Sequence, residues 1–196
     1  MGDHAAITAR EMKVSREAQD ELALASHQNL HKAWEEGFFT DLTTGFLGVN
    51  RDTNLRPDSS LESLAKLKPV FGKHDAEQHG AQATMTAGNS TPLTDGASVA
   101  LLSSEDWAAE HNIEPRAFLV DSETAAVDFV HGPDGLLMAP TYAVPRLLER
   151  NNLSLQDFDF YEVHEAFASQ VLATLKAWED ETYCRERLGL DAPLGS

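Results

Sequence analysis

An α/β layered architecture is what the second half of the chain predicts, and two observations carry it. Strand-type and helix-type runs alternate: residues 116–124 read as strand, 141–151 as helix, 158–163 as strand, and the stretch from Phe167 to Trp178 as helix. The last strand-type run feeds its helix with no linker, an arrangement that puts functional groups at strand carboxyl ends in α/β proteins. The 196 residues, 42% hydrophobic and 24% charged, suffice for one domain with a real core or for two small ones.

In chain order, residues 7–12 read as a helical turn or two. Residues 14–36 predict a strong helix, with Ser15 as N-cap, Glu17 in the first turn and Gly37 as stop. Its stripe is Ala18, Leu22 and Ala25, continued slightly offset by Leu30, Ala33 and Trp34. Residues 38–57 are rich in Gly, Thr, Asn and Asp and read as loop, with a short strand at 46–49. Leu61, Leu64, Ala65 and Leu67 suggest a short helix stopped by Pro69. Residues 72–95 read mostly as loop, 97–103 as a buried strand and 104–111 as a helix. Ala117, Leu119 and Asp121 give the next strand its alternation, and His131-Gly-Pro-Asp-Gly135 is a turn cluster. Pro145 is expected to disturb the first turns of helix 141–151, and beyond Asp180 the chain is polar. No internal repeat is present.

The formal charge is −17, from 15 basic and 32 acidic side chains, which argues against binding a nucleic-acid backbone. One stretch runs the other way. Arg51, Arg56, Lys66, Lys68 and Lys73 face only Asp52, Asp58 and Glu62, so an anionic small ligand finds its best partner there, unless the run is a solvated face. No apolar run approaches the roughly 18 residues of a membrane helix. Met1-Gly-Asp-His-Ala-Ala lacks the features of a secretory signal, and one cysteine excludes an internal disulfide framework, so the cytoplasm is the expected compartment.

His164 is the leading chemical candidate. Phe158, Phe160, Tyr161 and Val163 precede it in strand-type order, and Phe167, Val171, Leu172, Leu175 and Trp178 follow at helical spacing. That places the imidazole beside free backbone N–H groups, where developing oxyanions are stabilised. The same spacing fits a buried, hydrogen-bonded histidine at a helix start. Residues 84–96 combine small residues, hydroxyls and two glycines, which suits either close backbone approach by a ligand or a tight connection. Cys184, among Glu181, Arg185, Glu186 and Arg187, reads as exposed surface and as structural or incidental. His27 and His31 share a helix face, and His74 and His79 a loop, without a third ligand at diagnostic spacing, so no metal site is expected.

Three segments together resemble the thiolase family of acyl-CoA acyltransferases: Arg56-Pro-Asp-Ser-Ser-Leu-Glu-Ser-Leu-Ala-Lys-Leu-Lys-Pro69, Thr86-Ala-Gly-Asn-Ser90 with Asp95-Gly96, and His164-Glu-Ala-Phe-Ala168. They stand in family order, and the resemblance covers essentially the whole chain. It implies a thiolase-like layered fold, incomplete here. Residues 1–111 would be the end of the N-terminal half with its loop domain, and 112–196 the beginning of the C-terminal half. It implies acyl transfer between acetyl-CoA and a 3-ketoacyl-CoA, with the CoA thioester as substrate and no resident cofactor.

By the same resemblance His164 is the oxyanion-hole member, in the histidine version similar to degradative thiolases of fatty-acid metabolism. Arg56 would stack on adenine, Ala87, Thr91 and Leu93 would follow the pantetheine arm, Ala166 and Phe167 would line the acyl end, and Met1 with Gly2 would border the tunnel. Thr91 replaces a common serine and Pro92 a common glycine. Homo-oligomers, or association with companion thiolase chains, are the implied partnerships. The family's nucleophilic cysteine, its G-H-P histidine and its C-x-G cysteine have no counterpart here, and Cys184 matches neither cysteine. The expectation is therefore a truncated segment, inactive alone, with open strand edges; the alternative is a non-catalytic CoA-binding or subunit-interaction fragment.

Overall fold

The structure, a computed structural model, describes residues 1–195. Helix α1 spans Gly2–Glu11, longer than the turn or two predicted from Ile7. Its start packs against Phe71 so closely that a Cβ on Gly2 would lie 2.5 Å from a ring atom. Helix α2, Arg16–Glu35, begins where the capping rule puts it, the Ser15 hydroxyl accepting the Ala18 N–H at 3.1 Å. Helix α3 is Leu61–Ala65 and α4 is Lys73–Gln78. The stretch 72–95 is therefore not mostly loop. It carries α4 and a 3-10 turn at Ala87–Asn89, and His74 and His79 belong to or cap α4.

Helix α5, Glu105–Glu110, falls within the helix expected at 104–111 and is capped by Ser104, and α6 is Pro140–Asn151. Pro145 sits inside α6 without breaking it. The carbonyl whose helical donor the proline removes, that of Thr141, accepts the Trp178 indole N–H at 3.3 Å instead. Asn152 closes α6 in the left-handed conformation. Helix α7, Ala168–Glu179, follows the His164 motif, and α8, Glu181–Glu186, occupies the stretch read only as polar.

Helix α7 is the central post, touching α1, α2, α6 and α8. Ala173 and Ala177 are fully buried on it beside Ala9, Val14 and Met138, since small side chains let helices approach. A second cluster joins Ala5, Ala6 and Met85 to Phe71 and Phe167, and a third joins Leu148, Leu155 and Trp178.

The predicted strands depart most from expectation. Residues 97–103, 116–124 and 158–163 form no ladder among the described residues, where bridges occur only at Phe46–Val49, Pro69–Thr86 and Ser90–Phe167. A strand's N–H and C=O groups need a neighbouring strand, and none of these runs has one here. Their apolar side chains are accordingly exposed, among them Val99, Leu102, Leu119 and Phe160. Residues 46–49 close a single tight turn rather than forming a strand in a sheet. Cys184 corrects a second expectation. It is fully buried, because α8 folds its cysteine face against α7 while Glu181, Arg185 and Glu186 take the outer face.

Candidate functional site

Three local devices build the walls of one large cavity. Ser60 and Ser63 cap α3 reciprocally, each hydroxyl accepting the other's backbone N–H at 3.2 and 3.0 Å. Thr86 and Asn89 do the same around the 3-10 turn, with Thr86 N–H donating to Asn89 Oδ1 at 2.8 Å. The third device joins two distant segments. Ser90 bridges Phe167 in antiparallel sense, and Thr91 N–H donates to the Ala166 carbonyl at 2.9 Å. The loop carrying Ala87 and Thr91 is thereby fastened to the segment carrying His164.

A buried polar relay holds these walls on α2. Arg16 Nε donates to Asp20 Oδ2 at 2.7 Å, and its Nη2 to the Leu64 carbonyl at 2.5 Å. Asp20 Oδ1 accepts from Asn89 Nδ2 at 2.9 Å, and Gln19 Nε2 donates to Thr84 Oγ1 at 3.0 Å. One carboxylate, 3% exposed, thus ties the α3 wall and the 3-10 turn to the same helix. Sequence reading missed Arg16, Gln19, Asp20 and the partnership of Asn89. Polar residues in an amphipathic helix ordinarily face water, and their partners stand up to 69 residues away.

The cavity has a volume of about 970 Å³, within the range typical of small-molecule sites. Arg56, Ala87, Thr91 and His164 all line it, so four of the residues singled out from sequence share one concave surface. His164 is exposed, not the buried, hydrogen-bonded histidine that its spacing also fitted, and lies just before α7. Ser90 also lines this space, but its hydroxyl is shielded from solvent and has no partner among the described residues. Met1, Leu93, Ala166 and Phe167 are not part of the lining. Met1 and Leu93 are exposed, Ala166 offers its carbonyl to Thr91, and Phe167 packs edge-on against Phe71 at 6.0 Å.

Arg56 lies in a self-contained loop. Its Nη1 donates to the Thr53 and Leu55 carbonyls at 2.8 and 3.1 Å, and Asn54 N–H donates to Asp52 Oδ1 at 2.7 Å. The local positive field is weaker than the charge count suggests. Arg51 is paired with Glu35 at 2.8 Å and Lys66 with Glu62 at 2.6 Å, while Asp52, Asp58 and Glu165 join Arg56 in the lining. Cys184 lies outside the cavity, its thiol donating to the Ala177 and Trp178 carbonyls at 3.4 and 3.3 Å. Among the described residues no group of three or more His, Cys, Asp and Glu is arranged to hold a metal ion, and no helix is long and apolar enough to cross a membrane.

This chain, with α-helices and tied loops around such a cleft, belongs to the thiolase family. The family models for the thiolase N-terminal and C-terminal domains match residues 1–106 and 113–185. The chain is 38% identical over its full length to a 3-ketoacyl-CoA thiolase of Yersinia enterocolitica, and 39% to one of Serratia proteamaculans. It spans 44% of the length of each. All of the chain superposes on the acetyl-CoA acetyltransferase of Bacillus anthracis with a TM-score of 0.76 at 32% identity, covering 48% of that chain. The dimeric peroxisomal thiolase of Saccharomyces cerevisiae gives 0.75 at 32% identity, with 46% covered. The fold is thus thiolase-like and incomplete relative to these structures. The chain overlays on about half of each neighbour.

Proposed function

We propose that this chain supplies the CoA-facing cleft and one oxyanion donor for thiolase-type acyl transfer between acetyl-CoA and a 3-ketoacyl-CoA. The convergence of Arg56, Ala87, Thr91 and His164 on one cavity carries the reading. In it, the Arg56 guanidinium offers a flat cation to the adenine ring, and the small side chain of Ala87 lets the pantetheine arm approach the backbone. Thr91 offers a hydroxyl for a hydrogen bond along that arm. His164 directs an N–H toward the thioester oxygen, where negative charge develops during acyl transfer. Ala166 and Phe167 toward the acyl end, and Leu93 and Met1 along the pantetheine path, are assigned from their places in the motifs.

The CoA thioester is substrate in this reading, and no resident cofactor is required. The domain division falls between 111 and 112, the compartment is the cytoplasm, and partnership is with further copies or companion thiolase chains. A place in fatty-acid metabolism belongs to the same reading.

The nucleophile is what these 196 residues do not offer to the cleft. Their one thiol, Cys184, is buried and bonded to two carbonyls of α7. The chain by itself is therefore expected to bind CoA without turnover. A thiolysis assay on the purified chain tests this: clear turnover that disappears in His164→Ala would refute it. Titration with CoA provides the second test, in which binding should weaken in Arg56→Ala.

A further inference from the structure

We propose that His27 positions Arg56 through its neutral imidazole, so that CoA capture at this cleft is sensitive to protonation. The proposal rests on the CoA-binding reading above and adds to it a residue and a form of regulation. His27 projects from α2 into the cavity wall, and its Nδ1 accepts the Arg56 backbone N–H at 3.4 Å.

That contact has a particular place in the loop. Residues 52–59 are otherwise bonded to one another: Asn54 to Asp52, the Arg56 side chain to Thr53 and Leu55, and Ser59 N–H to the Arg56 carbonyl at 3.2 Å. Among the described residues, the His27 contact is the hydrogen bond that leaves this loop and reaches a helix. Arg51, just before the loop, reaches the same helix through Glu35 at 2.8 Å, so the His27 contact is a second tie, and the one made by the backbone of Arg56 itself.

The tie exists in one protonation state. A neutral imidazole with its hydrogen on Nε2 presents a lone pair at Nδ1, whereas imidazolium presents a second N–H to a backbone donor. Other charged or titratable groups around the ring are His31 one turn on along α2, Asp52, Asp58 and the Arg56 side chain from the loop, and His164 and Glu165 from the opposite wall. His164 is the other imidazole lining this cavity, so the test must separate the two.

Isothermal titration of the chain with CoA at pH 8 and pH 5.5 makes that separation. Wild type should bind about two- to tenfold more weakly at the lower pH, the scale of one ordinary hydrogen bond. His27→Asn, whose Oδ1 accepts from the same place without titrating, should bind like wild type at pH 8 and show no such loss. His27→Ala should bind weakly at both. Persistence of the loss in His27→Asn, tighter wild-type binding on acidification, or full affinity in His27→Ala at pH 8 would each overturn the proposal.

A second measurement stands apart from CoA. Hydrogen exchange of the Arg56 amide at pH 7 should be several-fold slower in wild type and His27→Asn than in His27→Ala; equal rates contradict the tie. Absence of CoA binding in wild type, or unaltered binding in Arg56→Ala, instead overturns the functional reading.

Discussion

Replacing Asp20 should destabilise the chain more than replacing any surface acid. Its carboxylate accepts from Arg16 at 2.7 Å and from Asn89 at 2.9 Å while only 3% exposed. Hydrogen bonds to charged groups contribute about 1.5–3 kcal/mol each, and removing one partner of a buried ion pair costs about 3–5 kcal/mol. The lower end applies in Asp20→Ala. Arg16 keeps the Leu64 carbonyl, its side chain is 18% exposed, and Asn89 keeps the Thr84 carbonyl. The expected loss is about 3 kcal/mol, with Asp20→Asn losing roughly half because it retains an acceptor. At a urea slope of about 2 kcal/mol/M this lowers the unfolding midpoint by roughly 1.5 M for the alanine variant. Circular dichroism in urea reads it directly. A midpoint shift below about 0.3 M, or equal shifts for the two variants, would show that the relay does not hold the cleft walls.

Further outcomes follow from the same geometry. Gly72 lies at φ +75°, with a built Cβ 2.5 Å from the Ala6 Cβ, whereas Gly48 lies at φ +83° in open space. Gly72→Ala should therefore lose about 2 kcal/mol or more from backbone strain plus overpacking, and Gly48→Ala about 1 kcal/mol from strain alone, compared by urea midpoints. Burial, followed by a hydrogen bond to Asp134, pushes the Tyr142 phenol up to about 12, and burial also raises Tyr183. With folded values above the unfolded one, their contribution is intact below about pH 10 and fades as pH rises toward 12. Phenolate absorbance should show them ionising late, and earlier in Asp134→Asn. Cys184 should react with an aromatic disulfide reagent only after denaturant is added; rapid labelling of the native chain would contradict its burial.

Much of this arrangement could be read from sequence, for reasons particular residues make plain. Local chemistry was enough for α2, where Ser15 caps and the chain leaves the helix before Gly37, and for α5, where Ser104 caps. Arg56, Ala87 and Thr91 were found through the resemblance of their segments to the thiolase family, and His164 also from its place between a strand-type and a helical run. The buried relay was not legible, since Asp20 looks like any helix acid until Asn89 arrives from another segment. Residues 97–103, 116–124 and 158–163 have strand chemistry, but a strand also needs a neighbour, which no run of residues can report about itself. Cys184 misled because its charged neighbours lie on the opposite face of α8.

Calorimetric titration of the purified chain with CoA, run in parallel on Arg56→Ala, asks the central question most simply. A saturable wild-type isotherm that weakens markedly in the variant is the predicted result. Flat traces for the wild type, or superimposable isotherms, would mean that the cleft beside α2 is not where a CoA thioester docks.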